Sequence, residues 1–445
     1  MGTSSTSENK TALVIKTLLN NDRASVDPLA EIISLSKTAD IEVLDSLVQK
    51  LNRPNAATWV GAGKVAEAAE LAQELDVDFI IADNELSPAQ ERNIEKITEK
   101  TVIDRSQLIM DIFSQRAQTP QARLQVELAQ LRYSLPRLKR MWTHLSRYEG
   151  GIGMRGPGEK QLETDKRLIG RRIQKMVRDL KHIERRNQVA IENRSGEFVV
   201  ALAGYTNAGK STLLNTLTKS DELVEDKLFA TLDTRVRRWI LNKNRHVLLT
   251  DTVGFIKNLP HHLVASFEAT LTETRRADII LHVVDASSPQ AEQHIRTVNT
   301  VLQNLKCGDK LTWMVLNKWD ALTSDEIPEA NNLANIGPDY GSRAAAPSNI
   351  KILEPAQAFQ VSAANGTGLE VLSEAVLDHL QAGDEPISLV VPHSRGDVVA
   401  YLRENANLEE LDYQVDGVHV SCSISPARGA RLKHLFPEGF TNGDD

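Results

Sequence analysis

The sequence predicts an α/β protein built from several units, and three observations carry that expectation. Short apolar runs alternate with helix-patterned stretches over 12–119 and again over 197–382, as strands and helices do around mostly parallel sheets. Between them, 120–196 is helical in pattern and basic, and glycines break it midway. The length, 445 residues, suggests about three domains by itself.

In chain order the expected layout is a disordered tail (1–11), an N-terminal α/β domain (12–119), a basic helical hairpin with a glycine-rich loop (120–196), a second α/β domain with a mostly parallel sheet (197–382), a small α+β domain (386–435) and a tail (436–445). In the first domain, 12–18, 41–48, 78–83 and 101–104 read as strands, while 27–37, 63–75, 87–99 and 105–117 read as helices. Ser87-Pro88 is a helix start by type: a capping hydroxyl followed by proline at the first helical position. Gly61-Ala62-Gly63-Lys64 faintly resembles a phosphate loop, but it lacks the full spacing and reads as a turn before a helix. In the hairpin, residues 150–158 hold five glycines and a proline, a run that cannot continue a helix. Beyond it, Leu162, Ile169, Ile173, Met176, Leu180 and Ile183 recur at helical spacing, opposite a face of Arg and Lys. The last domain holds a strand-like ISLVV, a helix over 394–404 and two strands over 408–423.

Composition excludes several classes. Hydrophobic residues make up 41% and charged residues 25%, so the chain is not mainly disordered. No apolar run reaches the roughly 18 residues of a membrane helix, and the first ten residues lack the apolar stretch of a secretory signal, so a cytoplasmic chain is expected. Cys307 and Cys422 are too few for a disulfide framework or a zinc site. The myristoylation-like start and three glycosylation-like tripeptides are short patterns and are set aside.

Charge is unevenly spread. Residues 120–195 carry 18 Lys and Arg against 8 Asp and Glu, whereas the rest carries 34 against 52, for an overall −8. An acidic chain with one basic segment suggests a local polyanion contact; a solvated helix face with internal ion pairs is the plainer alternative.

The second α/β domain holds the chemistry. A short buried strand, 198–203, leads into Gly204-Tyr205-Thr206-Asn207-Ala208-Gly209-Lys210-Ser211, then Thr212 and an apolar helix. Strand, loop and helix match the phosphate loop in pattern and context: glycines let successive N–H groups curl around phosphate oxygens, and the helix N-terminus adds positive potential. Lys210 then reaches the β- and γ-phosphates, and the Ser211 hydroxyl ligates Mg²⁺. The strand 247–250 ends in Asp251-Thr252-Val253-Gly254, which places Asp251 beside the metal and the Gly254 N–H near the γ-phosphate. After the strand 311–316 comes Asn317-Lys318-Trp319-Asp320, whose carboxylate can accept both the N1–H and the exocyclic amine of guanine, a donor pair adenine lacks. Ser362-Ala363-Ala364 follows, with backbone able to meet the guanine oxygen. In this order, at successive strand ends, the elements point to GTP with Mg²⁺.

With these motifs, the stretch Phe229-Ala230-Thr231-Leu232-Asp233 and the loop GGIGMRGPGEKQLETDKR at 150–167, the chain closely resembles the HflX family of ribosome-associated GTPases over nearly its whole length. The resemblance implies that 229–233 lie over the phosphates and that Thr231 is the switch threonine completing the Mg²⁺ site with Ser211; on chemistry alone Thr234 would also serve. Lys210, Thr231 and Gly254 are then the catalytic set. It further implies a monomer that binds the large ribosomal subunit and ribosomal RNA and splits or rescues ribosomes under stress. Two features depart from a compact GTPase. The connection over 322–355 is long and rich in Ala, Asn, Gly and Pro. Phe255 also stands where Ras-like enzymes carry the water-orienting glutamine, and it has neither donor nor acceptor. Either another group holds the water or hydrolysis is slow until a partner completes the site. Two other functions remain open: a GTPase partner of an RNA-modification or ribosome-assembly system, and a binding module that GTP merely locks.

Overall fold

The structure, a computed structural model, describes residues 10–19, 27–138, 157–192, 197–220, 228–229, 235–242, 245–252, 254–257, 272–322 and 357–440. Residues 150–156 of the glycine loop, 230–234 with Thr231, Val253 and the connection over 323–356 lie outside these. The chain divides into two compact units: 1–186 with 225–233 and 253–272, and 187–224 with 234–252 and 273–445. As the sequence predicts, both are α/β.

The first unit opens with a parallel sheet in the order β2-β1-β3-β4, built from β1 (Lys10–Leu19), β2 (Ile41–Leu51), β3 (Phe79–Ala82) and β4 (Thr101–Asp104). Consecutive Ala12, Leu13 and Val14 are all fully buried, because β1 is covered on both faces and needs no polar alternation. The helices α1 (Ala30–Thr38), α2 (Ala62–Glu74), α3 (Pro88–Thr98) and α4 (Arg105–Arg116) fall close to the expected spans. Ser87 and Gln90 form a reciprocal capping box at α3, and the Asp104 carboxylate accepts the Gln107 N–H at α4. The Gly61 segment is the turn into α2, with the Gln49 amide oxygen accepting its N–H.

Two further helices form the basic arm, α5 (Pro120–Ser134) and the 36-residue α6 (Pro157–Glu192). Leu128 of α5 packs with Met176 and Leu180 of α6, and Ile173 joins them, as the helical spacing predicts. One boundary differs: Pro157 and Gly158 belong to the first turn of α6. Proline is at home there, where its missing N–H has no intrahelical partner in any case.

The second unit carries a six-stranded sheet in the order β10-β9-β8-β5-β7-β6. Its strands are β5 (Val199–Gly204), β6 (Arg235–Ile240), β7 (His246–Asp251), β8 (Ile279–Asp285), β9 (Leu311–Asn317) and β10 (Ala358–Gln360). All pairs are parallel except β6 with β7. The edge strand β6 was not expected from the sequence: RVRRWI buries only Trp239 fully, so it has almost no apolar alternation to read. The helices of this sheet are α7 (Lys210–Thr218), α8 (Ala291–Asn304) and α9 (Leu369–Ala382).

A three-stranded antiparallel sheet follows, β11 (Glu385–Val391), β12 (Asn407–Gln414) and β13 (Gly417–Ile424), in the order β11-β13-β12. It packs with α10 (Gly396–Asn405) and α11 (Pro426–Leu435) around Val398, Leu402, Val420 and Leu432. The tail begins later than residue 436: Phe436 is buried in this core, and Pro437–Phe440 forms a 3-10 turn. An isolated phenylalanine after a basic helix gave no periodicity to read. Arg245, ahead of β7, and Asp384, ahead of β11, form a buried ion pair within this unit.

Candidate nucleotide-binding site

Four segments at the C-terminal ends of β5, β7, β9 and β10 meet in the second unit. The loop after β5 turns through Asn207 and Gly209, both with positive φ. Only glycine fits at two places. A Cβ on Gly209 would lie 2.2 Å from the Asn317 side-chain nitrogen, and one on Gly204 would lie 2.3 Å from the Val283 carbonyl oxygen. The loop therefore lies against β8 and β9 with nothing between. Asn317 holds it there: its Nδ2 donates to the Ala208 carbonyl at 2.9 Å, and its Oδ1 accepts the Ala363 N–H at 2.9 Å. One buried amide thus joins the loop after β5, the segment Asn317–Asp320 and the loop after β10.

Lys210, at the start of α7, is buried and donates to the carbonyls of Gly204 (3.1 Å) and Tyr205 (2.8 Å). Burial pushes its ammonium down to about 8, against an opposing pull from Asp251. His282 lies on β8 opposite Ala203; burial, with help from the Lys210 charge, pushes it down to about 4, so it is neutral at physiological pH. Ser211 Oγ donates to Asp251 Oδ2 at 2.9 Å, and Asp251 is fully buried. Thr252 Oγ1 donates to the Leu202 carbonyl at 2.7 Å and so holds the end of β7 against β5. Thr212 follows on α7, half-buried.

The Ser211–Asp251 oxygen pair fits one small hard cation, with one neutral and one anionic donor. Among the described residues no group of three or more His, Cys, Asp or Glu forms a metal cage. Such a pair suits Mg²⁺, which is commonly bound through one or two protein oxygens together with substrate phosphates.

After β9, Lys318 is left-handed (φ 59°) and its Nζ pairs with Asp285 Oδ2 at 2.8 Å. Trp319 and Asp320 begin a 3-10 turn, and the Asp320 carboxylate is exposed and able to accept from a ligand. The Trp319 N–H donates to the Val361 carbonyl. Ser362 is buried and its Oγ accepts the Asn365 N–H, while Ala364 is exposed. Thr216 Oγ1, on α7, donates to the Ala363 carbonyl at 2.8 Å.

Phe229 and Gly254 belong to the first unit, where their segments pack against its helices. Phe229 meets Phe113 edge-on with centroids 4.6 Å apart, and the Leu228 N–H donates to Thr38 Oγ1. Arg105, paired with Asp83 and Glu31, donates to the Lys257 carbonyl at 2.9 Å. Gly254 and Phe255 are buried, and the Phe255 side chain is 2% exposed, so it is a packing residue. Ala230, Thr231, Leu232, Asp233 and Val253 lie outside the described residues.

Sequence reasoning missed Asp285, Thr216 and His282. Asp285 had a readable signal, since it ends an apolar run just as Asp251 does. The other two had none, because a threonine in a helix and a histidine in a strand are ordinary residues until their neighbours are known.

Comparison with known proteins places these features. Residues 27–114 match the model of the GTP-binding GTPase N-terminal region, 116–194 that of the GTP-binding GTPase middle region, and 199–318 that of the 50S ribosome-binding GTPase. The GTPase HflX of Chlamydia pneumoniae is 38% identical over 447 residues, covering 98% of this chain and 90% of that protein. The GTPase HflX of Escherichia coli is 45% identical over 317 residues, covering 71% and 74%. Among solved structures, the crystal structure of SsGBP with GDP is similar at 24% identity and a TM-score of 0.45, over 83% of this chain and 98% of that one. Among the described residues no helix is long and apolar enough to cross a membrane. Matched in all three regions and along nearly its full length, the chain belongs to the HflX family and is a GTPase.

Proposed function

We propose that this GTPase binds the large ribosomal subunit through its basic arm and uses GTP to split or rescue ribosomes. The observation that carries the proposal is the arm itself. Met176 and Leu180 face α5, while Arg167, Arg171, Arg172, Lys175, Arg178, Lys181, Arg185 and Arg186 of α6 are exposed. A 36-residue helix is about 54 Å long, enough to present that charge along a polyanion rather than at one point.

Within the site the proposed roles follow from the donors present. The N–H groups of residues 204–212 hold the phosphates, Lys210 neutralises the β- and γ-phosphates, and Ser211 with Thr231 ligates Mg²⁺ beside Asp251. The Gly254 N–H meets the γ-phosphate, Asp320 reads the guanine amine and N1–H, and 362–364 meet its oxygen. Bound Mg²⁺ supplies charge to offset that building up between the β- and γ-phosphates. Phe255 orients no water, so turnover of the isolated protein is slow and the ribosome completes the site.

Co-sedimentation with separated ribosomal subunits tests the proposal. The protein is expected to pellet with large subunits when GTP or a non-hydrolysable analogue is present, and to leave them after hydrolysis. Equal pelleting with both subunits in every nucleotide state would refute it. Release that proceeds equally with the analogue would mean that hydrolysis is incidental.

A further inference from the structure

The outer limb of the phosphate loop has a tether outside every motif named above. Tyr205, second in the loop, stacks on His294 with ring centroids 3.9 Å apart and planes 12° from parallel. His294 lies in the first turn of α8, 89 positions along the chain from Tyr205. Its helix is anchored: Ala291, Ile295, Val298 and Leu302 of α8 are all buried. The ring of His294 therefore stands on a fixed base.

Other bonds hold the loop, but the two from Lys210 cannot last through the reaction cycle. Lys210 holds the Gly204 and Tyr205 carbonyls only while its ammonium points at them. A lysine that turns to the β- and γ-phosphates gives those carbonyls up. The ring stack does not involve Lys210 and survives its departure. Asn317 grips the loop further along, at Ala208.

The connection into α8 joins the two ends of the site as well. Asp285 Oδ2 pairs with Lys318 of the guanine motif, while Asp285 Oδ1 accepts the Ser287 N–H and hydroxyl. Six residues after Asp285, α8 begins and delivers His294 to Tyr205.

We propose that His294 is a positioning residue for nucleotide binding: stacked on Tyr205, it keeps the backbone of 204–206 in the conformation whose N–H groups face the phosphates. It acts through Tyr205 and touches no reacting atom. Losing the stack lowers the fraction of protein whose loop is ready to bind, so the loss falls on affinity and not on the chemical step.

The test uses the full chain and three variants, His294→Ala, His294→Leu and His294→Phe. Two quantities are read: the release rate of a fluorescent GDP analogue, and KM and kcat for GTP. His294→Ala and His294→Leu should raise KM and speed release by about threefold to tenfold, the range an aromatic pair of this kind supplies. Their kcat at saturating GTP should stay within about twofold of the parent, since the chemical groups are untouched. His294→Phe, which keeps a ring for Tyr205, should restore the parental values. Leucine fills similar space without a ring, so the Leu–Phe contrast decides the matter even if the alanine variant folds poorly. Parental KM and release in His294→Leu would overturn the proposal, as would a phenylalanine variant no better than leucine. A fall in kcat at unchanged KM would overturn it too, since it would place His294 in the chemical step.

Discussion

The phosphate loop and the basic arm both suit phosphate, yet they are built in opposite ways. In the loop, Gly209 cannot accept a side chain, Asn317 makes bonds on two sides, and Lys210 is buried. On α6 the cations from Arg167 to Arg186 are exposed, and among the described residues an apolar stripe through Met176 and Leu180 packs the helix against α5. A small ligand with a few oxygens is recognised by backbone donors that the fold holds in place, with Lys210 turning from its carbonyls to meet it. A large polyanion is held by many mobile charges that release counterions, and no single geometry is needed. Rigid sites fail at single residues; diffuse ones fail only when several charges go together.

The largest expected effects therefore belong to the loop. Lys210→Ala should lower GTP hydrolysis by about a thousandfold or more while circular dichroism stays parental. Turnover retained within tenfold would place the chemistry at another site. Next is Asp320→Asn, which replaces an acceptor of two charge-assisted bonds with an amide. GTP affinity should drop by about a hundredfold. Xanthosine triphosphate should become the better ligand, because its 2-oxo group suits an amide donor. An unchanged preference for GTP would remove Asp320 from base reading.

The same contrast decides what could be read from the sequence. The phosphate loop was legible because its glycines are demanded by close backbone approach, and that demand leaves fixed spacing. The segment Asn317–Asp320 was legible as a candidate base reader through its order after β9, and Asn317 does bridge two of the loops there. The fold class followed from apolar runs, and the strand Thr101–Asp104 falls where its pattern puts it. What escaped was whatever depends on chain segments meeting. The strand β6 has one well-buried residue, Trp239, and so no alternation. Phe436 joins a core whose other members lie on four different elements, which no local window contains. Thr216 and His294 gain meaning only from Ala363 and Tyr205.

The arm should break differently. Large ribosomal subunits are expected to raise the hydrolysis rate by at least about tenfold, only about 1.4 kcal/mol in the barrier. Reversing charge at Arg167, Arg171 and Arg172 together should remove that stimulation and leave the intrinsic rate as it was. Each single reversal should do much less. Stimulation of the parent should also fall steeply with added salt. Equal stimulation of parent and triple variant across a salt series would make the arm a solvated spacer, which its Arg172–Glu127 ion pair would equally suit.

A smaller effect runs in the other direction, because the buried Lys210 ammonium weighs against folding of the nucleotide-free protein. Lys210 has an ordinary value of 10.5 in the unfolded chain and about 8 when buried in the folded one. Between these values the unfolded chain holds a proton that the folded chain has released, so stability rises with pH across that window. Below pH 8 both states hold the proton, and the buried ammonium weighs fully against folding. A neutral side chain of similar length removes that burden but leaves the Gly204 and Tyr205 carbonyls without a donor, which offsets part of the gain. Nucleotide-free Lys210→Met should therefore be more stable than the parent at pH 7 by about 1 kcal/mol, or about 2–4 °C in Tm. The margin should shrink as pH rises from 8 towards 10.5, where the parent has lost its burden. Saturating GDP should reverse the order, since only the parent can pair its ammonium with phosphate. Arg171, on the surface of α6, is exposed, and Arg171→Met should leave Tm at pH 7 within about 1 °C of the parent. A pH-independent margin for Lys210→Met would mean that packing, and not the buried charge, sets its effect on stability.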